Sequence, residues 1–253
     1  MHNPFSLNGK IILVTGASSG IGQQAAILCS QLGARVAIIG RNEERLKHTL
    51  SLMEGEGHQL VCFDLNETEG IKDMVTKVVA SIGPLEGLIC CAGISNILPL
   101  KLMTVEKQQE FFRTNVFATI ELTRQVLSVK NFCKLGGSVV FISSVMGVVG
   151  ENAKSLYSMT KGALISATRS IAIEYAPKKI RVNCISPGVV ITPININQPY
   201  IADPEKRAVL ESKHPLGLGQ TSDIANACVF LLSDASRWMT GQNLIVDGGY
   251  TIL

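Results

Sequence analysis

The sequence has few concentrated charges, no uninterrupted long apolar run and no paired cysteine motif. Its 23 lysines and arginines against 20 aspartates and glutamates leave a formal net charge of +3 over 253 residues. No run of five or more like charges occurs along the chain. Charge spread this thinly favours neither a nucleic-acid-binding surface nor a membrane-binding one. We therefore expect no nucleic-acid partner and no membrane contact.

Features of export and membrane insertion are also missing. The first residues, MHNPFSLNGK, lack the basic-then-apolar pattern of a secretory signal. The uncharged run from Ile11 to Ala34 has the length of a membrane span, but the stretches GASSG and QQ interrupt it with polar groups and helix breakers. A soluble strand and helix are expected there, in a cytoplasmic protein.

Cysteine spacing argues against disulfide and metal chemistry. The seven cysteines are an odd number and show no C-x-x-C spacing, so we expect neither a disulfide framework nor a zinc site, and no metal. Most lie beside aliphatic residues, which is typical of small buried hydrophobes in a reducing compartment. They are Cys29, Cys62, Cys90, Cys91, Cys133, Cys184 and Cys228.

What the sequence does have is an alternation of short aliphatic runs and longer helix-like segments. Near-continuous apolar strands separated by helices predict a parallel sheet covered on both faces. Right-handed crossovers then give a doubly wound, three-layer α/β/α fold. No linker or repeat divides the chain, so residues 1–253 are expected to form one domain. The predicted strands are Ile11–Thr15, Arg35–Ile39, Gln59–Phe63, Gly87–Cys91, Ser138–Ser143, Ile180–Ile185 and Asn243–Val246.

One long irregular stretch is predicted between Ser186 and about Pro204, after the sixth strand. Loops of that length in compact domains are usually lids or disordered segments. This one starts at the carboxyl edge of the sheet, where such folds bind ligands. We expect a substrate loop over about 186–215. The residues that interrupt regular structure are Pro187, Gly188, Pro193, Pro199 and Pro204.

A glycine-rich turn, TGASSGIG, follows the first strand and opens a helix. Gly16, Gly20 and Gly22 permit a tight turn and the close approach of a pyrophosphate, whose charge is stabilised by free amides at the helix start. The spacing differs from G-x-G-x-x-G, so the generic fingerprint alone is weak. Its place after strand one nevertheless predicts dinucleotide binding.

Nucleotide choice is expected at the end of the second strand, where an acidic residue would hold the ribose of NAD. In this chain the sequence IIGRN has Arg41 at that position and no carboxylate. Arg41 favours the 2′-phosphate of NADP(H) over NAD(H). The alternative is a solvated arginine before a helix that begins with Glu43 and Glu44.

The segment YSMTK places Tyr157 and Lys161 four residues apart. On a helix such residues share one face, with β-carbons roughly 5–6 Å apart. A phenol titrates near pH 10, and a cation about 4 Å away is worth roughly 4 kcal/mol at an effective dielectric of 20, or about three pK units. The pair is therefore expected to act as a proton donor whose phenolate is stabilised by the lysine.

Six motifs in one order resemble the short-chain dehydrogenase/reductase family. They are TGASSGIG, AG at Ala92–Gly93, the asparagine Asn115, ISS ending at Ser144, YSMTK, and SPG at Ser186–Gly188. The match covers nearly the whole chain. The resemblance implies a Rossmann-type sheet of about seven strands and hydride transfer with a nicotinamide cofactor.

The resemblance also implies four catalytic residues. Tyr157 would be the acid and base, Lys161 its electrostatic partner, and Ser144 a hydrogen-bond donor to the substrate carbonyl. Asn115 would hold a water that links Lys161 to solvent. The alternatives are a turn residue for Ser144 and a helix-bending residue for Asn115.

Cofactor contacts are implied in the same way. Asp64 would meet the adenine, although it could instead cap the helix that DLNETEG opens. Gly93 would lie along the cofactor, Lys161 would reach the nicotinamide ribose, and Thr192 would meet the carboxamide. The full expected set is Gly16, Ser18, Ser19, Gly20, Ile21, Gly22, Arg41, Asp64, Leu65, Ala92, Gly93, Tyr157, Lys161, Pro187, Gly188, Val190 and Thr192.

One departure from the family pattern concerns the fourth strand. The family usually has NNAG where this chain has CCAG, Cys90 to Gly93, so the side-chain amides that steady the central strand are missing. The local geometry there is therefore open. A redox pair is not expected, because adjacent cysteines bridge poorly.

The expected substrate is a small carbonyl or alcohol, reduced or oxidised reversibly. The carboxyl-terminal LLSDASRWMTGQNLIVDGGY resembles 3-oxoacyl-carrier-protein reductases and suits a homotetramer or homodimer, but sugar, polyol and hydroxysteroid enzymes share it. For acyl carrier protein, Lys178 fits one expected basic position, whereas Leu135 occupies the other, with Lys130 and Lys134 nearby. A non-catalytic nucleotide-binding sensor or scaffold is the alternative of a different class.

Overall fold

The computed structural model describes residues 3–253. Seven strands form one parallel sheet in the order β3-β2-β1-β4-β5-β6-β7. The predicted doubly wound fold is confirmed. The strands are β1 Ile11–Thr15, β2 Arg35–Gly40, β3 Gln59–Cys62, β4 Gly87–Cys90, β5 Gly137–Ile142, β6 Ile180–Pro187 and β7 Asn243–Val246.

Helices cover both faces of this sheet. Residues alternate between faces along each strand: in β1, Ile11 and Leu13 belong to one core cluster and Ile12 and Val14 to the other. The first cluster also contains residues of α3, α5 and α6, and the second those of α1, α2 and α9. The helices are α1 Gly20–Gln31, α2 Glu43–Ser51, α3 Ile71–Ile82, α4 Val105–Phe112, α5 Ala118–Val126, α6 Ser155–Tyr175, α7 Pro199–Ala202, α8 Pro204–Ser212 and α9 Thr221–Leu232.

The order of strands creates a ligand site between β1 and β4. From β1 the chain first winds outward through β2 and β3, then returns to place β4 on the other side of β1. Thr15 and Cys90, the last residues of β1 and β4, lie opposite each other. At such a reversal the following loops diverge and leave a crevice at the carboxyl ends of the strands.

The long segment after β6 is more regular than its sequence predicts. The irregular part was expected over 186–204, but β6 continues to Pro187, and Pro199–Ala202 and Pro204–Ser212 are helical. Pro199 and Pro204 occupy first helical positions, where a missing N–H costs nothing, and Asp203 caps α8 by accepting from the Glu205 and Lys206 amides. Two of the four prolines that suggested a loop, Pro199 and Pro204, therefore begin short helices.

All seven cysteines are free thiols, and five of them lie buried or nearly so against the core. Cys62, at the end of β3, is exposed and is an exception to the expected burial. Within residues 3–253, no helix combines the length and apolar character needed to cross a membrane.

Candidate active site

The glycine-rich turn is closed against the end of β4. Gly16 has φ of +64° and lies where a β-carbon would be 2.9 Å from the Ala92 amide nitrogen. At Gly22, a β-carbon would lie 2.5 Å from the Gly16 carbonyl oxygen. Side chains at either position would push the turn away from the sheet. The glycines thus bring the backbone of the turn to the crevice between β1 and β4.

The start of α1 fits a phosphate-bearing ligand. Ser19 is the N-cap residue, but its side chain makes no hydrogen bond to the helix, and the first turn contains no acidic residue. The amides at a helix start carry partial positive charge and seek an acceptor. The free first-turn amides beside a closely packed glycine turn are what a pyrophosphate needs, so these residues fit a dinucleotide.

Thr15 holds the backbone of the CCAG segment, whose geometry the sequence left open. Its buried hydroxyl oxygen accepts hydrogen bonds from the amides of Cys91 and Ala92, at 3.1 and 3.2 Å. These bonds fix the chain leaving β4 to the end of β1. The backbone connection therefore holds without side-chain amides at positions 90 and 91.

Two arginines follow β2, where the ribose was expected: Arg41 comes directly after the strand, and Arg45 lies at the start of α2. Arg41 and Arg45 are exposed and line the same cavity as the glycine turn. Within residues 3–253 neither guanidinium forms a hydrogen bond or an ion pair. The neighbouring carboxylates of Glu43 and Glu44 pair instead with Lys47, at 3.2 and 3.0 Å. Both cations remain available to an anionic ligand. Arg41 was predicted from its position after β2, whereas no motif marks Arg45, four residues further on.

Asp64 lines this cavity too, but it is not a helix cap. Its carboxylate accepts from the Asn66 amide at 2.9 Å, within a turn that precedes the short helix Thr68–Gly70. The expected alternative, a cap at the start of a helix, is therefore wrong in detail: the side chain shapes a tight turn that holds residues 63–66 at the cavity wall.

Ser144, Tyr157 and Lys161 come together on the wall of a second cavity, of about 310 Å³. Ser144 follows β5, and the other two lie one turn apart on α6. The Ser144 hydroxyl accepts from the Met146 amide at 3.2 Å and lies close enough to the Tyr157 hydroxyl to lower the pKa of that phenol. The Lys161 Nζ lies 5.6 Å from the Tyr157 ring centroid. The Lys161 ammonium donates to the Ile142 carbonyl at 2.8 Å.

Burial dominates the titration of this pair in the ligand-free protein. Desolvation raises the pKa of Tyr157 to about 12, an effect that the Ser144 hydrogen bond opposes. Desolvation also lowers the pKa of Lys161 to about 8. The sequence predicted that the lysine would favour the phenolate. Here the ammonium donates to the Ile142 carbonyl and both charged forms lose hydration, so the opposite direction results.

Asn115 lies behind this wall, in a π-helical turn, Arg113–Phe117, between α4 and α5. Its fully buried amide accepts from the Ile94 nitrogen at 2.8 Å and donates to the Ile94 carbonyl and the Thr160 hydroxyl, both at 3.0 Å. This π-helical turn agrees with the alternative interpretation of Asn115, a residue that bends or bridges a helix. The same side chain ties the loop after β4 to the helix that carries Tyr157.

Thr192 is placed by Asn195, three residues on in the substrate loop. The side-chain oxygen Oδ1 of Asn195 accepts from the Thr192 backbone amide at 2.9 Å and from the Thr192 hydroxyl at 3.3 Å. The side-chain nitrogen Nδ2 of Asn195 donates to the Val190 carbonyl at 2.9 Å. These bonds fold the segment after β6 back on itself. Gly20 faces the Thr192 side chain across the crevice.

The two cavities share part of their lining, and every expected cofactor residue lines one or both of them. The shared lining is Ile21, Cys91, Gly93, Ile94, Ser95, Ile142, Thr192 and Ile194. The larger cavity, about 490 Å³, contains the rest of the glycine turn with Arg41, Asp64, Leu65 and Ala92. The smaller one contains Tyr157, Lys161, Pro187, Gly188 and Val190. Polar lining residues that no motif marked are Ser95, Glu151, Asn152, Lys154, Asn195 and Tyr200.

Known proteins resemble this chain over its whole length. A family model described as enoyl-(acyl carrier protein) reductase matches residues 16–251. Glucose 1-dehydrogenase of Gluconobacter oxydans is 34% identical over 248 residues, which cover 96% of this chain and 92% of that protein. The 3-oxoacyl-[acyl-carrier-protein] reductase of Thermotoga maritima is 34% identical over 249 residues, covering 97% and 99% of the two chains.

Solved structures agree. A short-chain type dehydrogenase/reductase from Mycobacterium marinum superposes with a TM-score of 0.90 at 29% identity, covering 99% of this chain and 98% of that one. A candidate 2-deoxy-D-gluconate 3-dehydrogenase from Agrobacterium tumefaciens, with bound NADP, gives 0.89 at 30% identity over 100% of both chains. With the seven-stranded fold and the family match across residues 16–251, these relatives show that the chain belongs to the short-chain dehydrogenase/reductase family, NAD(P)-binding oxidoreductases that act on CH–OH groups.

Proposed function

We propose that the protein reduces a ketone to a secondary alcohol, reversibly, with NADP(H) preferred over NAD(H). The observation that carries the proposal is the gathering of Ser144, Tyr157 and Lys161 on one wall of a cavity that opens into the glycine-rich cavity. The nicotinamide cofactor supplies or accepts the hydride when bound. The residues of the chain then have to position the carbonyl and handle one proton.

Tyr157 is the proposed proton donor. Its pKa of about 12 in the ligand-free protein keeps the phenol protonated at neutral pH, ready to donate. The Ser144 hydroxyl, whose proximity lowers the pKa of Tyr157, would donate a second hydrogen bond to the carbonyl oxygen. Lys161, protonated below about pH 8, would stabilise the phenolate that remains after transfer.

Asn115 is proposed to hold a water that relays a proton from solvent to Lys161. The space between the two side chains supports this role. A β-carbon at Gly93 would lie 3.1 Å from the Asn115 Oδ1 and 3.6 Å from the Lys161 Nζ. Only the missing side chain of Gly93 leaves that space open.

The preference for NADP(H) rests on the end of β2. Arg41 and Arg45 are unpaired cations at the cavity wall, and no carboxylate occupies the position that favours NAD. The proposed holders of the cofactor are the residues of the expected set, with the α1 amides taking the pyrophosphate.

The substrate is proposed from the wall opposite the cofactor. A 3-oxoacyl thioester is one candidate, supported by the relative named as such a reductase and by the apolar Val145, Met146 and Leu210 in the lining. A sugar, polyol or hydroxysteroid is the other. Relatives named glucose 1-dehydrogenase and L-xylulose reductase support the sugar, as do Glu151, Asn152 and Tyr200 in the lining.

Assembly, domain organisation and location are part of the same proposal. One sheet shared by both core clusters supports a single domain over 1–253, with 186–215 as its substrate loop. A cytoplasmic homotetramer or homodimer is proposed from the family resemblance. Docking of acyl carrier protein has weaker support, since Leu135, which is 86% exposed, stands where a basic residue was expected.

The test is NADPH consumption with an acetoacetyl thioester and with a panel of ketoses and hydroxysteroid ketones, beside NADPH binding. Turnover of at least one ketone, faster with NADPH than with NADH, is the expected result. Tight NADPH binding with no turnover across the panel would instead favour the non-catalytic sensor. A faster rate with NADH would overturn the cofactor preference alone.

A further inference from the structure

Lys154 faces the substrate side of the cleft without a role in the proton transfer proposed above. It lies three residues before Tyr157, at the N-cap of α6, and lines the cavity that contains Ser144 and Tyr157. Its Nζ is 5.9 Å from the Tyr157 ring centroid and 5.8 Å from that of Tyr200 on α7. The cation therefore stands between the proposed acid and the short helix of the substrate loop.

The position of this side chain is fixed from two directions. The Lys154 ammonium donates to the Asn96 carbonyl at 3.1 Å. The preceding residue, Ala153, has φ of +59°, and its carbonyl accepts from the Leu98 amide at 2.7 Å. A left-handed alanine costs conformational energy and persists only where its surroundings hold it, most often at functional sites. The segment 153–154 is thus locked onto the loop after β4.

The ammonium group has unused hydrogen-bonding capacity. It carries three donors, of which one is used by Asn96 within residues 3–253. No carboxylate in that part of the chain forms an ion pair with it. The group is half-buried, and burial lowers the pKa of Lys154, while the charge of the nearby Glu151 opposes this shift. A partly desolvated cation that forms no direct ion pair favours the arrival of an anion.

The charged side chains that line the cavity favour the binding of one anionic group of a substrate. Its lining includes the cations Lys154 and Lys161 and one carboxylate, Glu151, while no arginine or aspartate of the described chain lines it. Glu151 is exposed, so water screens its repulsion, whereas Lys154 is half-buried and less screened. A substrate anion beside Lys154 therefore gains more than it loses.

We propose that Lys154 binds a carboxylate of the substrate, so that the preferred substrate is an oxo acid or hydroxy acid. The inference deepens the proposed function and rests on it, because it assigns the substrate class of the same site. Tyr157 would meet the carbonyl and Lys154 the carboxylate, on the same side of the cofactor. A short oxo acid and a keto sugar acid share this chemistry.

The experiment compares acids with neutral ketones of similar skeleton. Acetoacetate is paired with methyl acetoacetate, and 5-keto-D-gluconate with L-sorbose, each reduced with NADPH. The readout is the acid-to-neutral ratio of kcat/KM. We expect the wild type to prefer the acid of at least one pair, and Lys154→Met to lower that ratio about 10- to 100-fold, mainly through KM, because a charge-assisted hydrogen bond is lost.

Three variants sharpen the result. Lys154→Arg should retain most of the ratio because it keeps the charge. Glu151→Gln should leave the ratio unchanged or raise it, since a repelling charge is removed. Lys72→Met removes an equally charged, exposed side chain on α3, away from the cleft, and should leave the ratio within about twofold.

The outcomes separate this inference from the proposed function. Neutral ketones reduced in preference to both acids, or a ratio that Lys154→Met leaves unchanged, would overturn the carboxylate site while the ketone reductase stands. Absence of turnover for every ketone would count against the proposed function, and this inference would fail with it. Which pair shows the preference tells the short oxo acid from the keto sugar acid.

Discussion

The two halves of the cleft are built by different means. In the cofactor half, backbone dominates: a glycine turn, the free amides of α1, and the chain after β4 held by the Thr15 hydroxyl. In the substrate half, side chains from separate segments dominate, among them Glu151, Lys154 and Tyr200. A backbone site restricts residue type at each position, because only glycine or a small residue fits. In a site formed by side chains, the charge and polarity depend on which residues the surrounding loops carry.

A large effect is expected from loss of the Lys161 charge, which acts mainly in the substrate half. Lys161→Met should lower kcat for ketone reduction by about 100-fold or more, because the cation that stabilises the phenolate is lost. The dissociation constant of NADPH should rise several-fold at most. Steady-state kinetics beside a fluorescence titration of NADPH measures both, with Lys72→Met as the control for loss of one lysine charge. A larger effect on NADPH binding than on kcat would mean that the halves are not separable in this way.

The next effect breaks the cofactor half alone. Arg41→Ala should raise the NADPH dissociation constant by about 10- to 100-fold, because a charge-assisted contact to the 2′-phosphate is lost. The value for NADH should change less than about threefold. Arg35→Ala, at the opposite end of β2, is the matched control. Equal losses for NADPH and NADH would remove Arg41 from the nucleotide preference.

A pH profile separates the groups that titrate in the substrate half. The pKa of Lys161 is lowered to about 8 and that of Tyr157 raised to about 12. Reduction needs both protons, so kcat/KM should be level below about pH 8 and fall about tenfold per pH unit above it, as Lys161 loses its proton first. The NADPH dissociation constant, measured over the same pH range, shows whether a fall in kcat/KM comes from weaker cofactor binding. A level profile through pH 9.5 would show that the charge of Lys161 is not needed.

The smallest effect concerns the segment that joins the halves. Asn195→Ala removes the bonds that place Thr192 and the Val190 carbonyl, so KM for ketone and for NADPH should both rise about three- to tenfold. Asn197→Ala, two residues on and exposed, is the matched control. If Asn195→Ala behaves like Asn197→Ala in both titrations, the segment does not depend on this anchor.

The same contrast explains what could be predicted from sequence. The strands and the glycine turn follow from apolar runs and from residue types that the backbone demands, and β1 and β7 were predicted to the residue. Tyr157 and Lys161 follow from helical spacing. The spacing of Tyr157 and Lys161 does not predict that burial desolvates both side chains. It also does not predict that the Lys161 ammonium donates to the Ile142 carbonyl. In the ligand-free protein burial raises the pKa of Tyr157, and the predicted stabilisation of the phenolate by Lys161 stays part of the proposal.

Other features needed tertiary contacts that no local pattern encodes. The prolines after β6 suggested irregular chain, yet Pro199 and Pro204 begin helices. No local motif marks Lys154, because Asn96 and Tyr200, which give it its environment, are distant in sequence. Residues whose role depends on such neighbours carry no signature of their own.

The central claim is that Tyr157 performs proton transfer in a site whose cofactor half works independently. Its most direct test is Tyr157→Phe, with NADPH affinity and ketone turnover measured on the same preparation. We predict that kcat falls by about 10²- to 10⁴-fold while the NADPH dissociation constant stays within about threefold. Turnover at the wild-type rate, with the hydroxyl gone, would contradict the account.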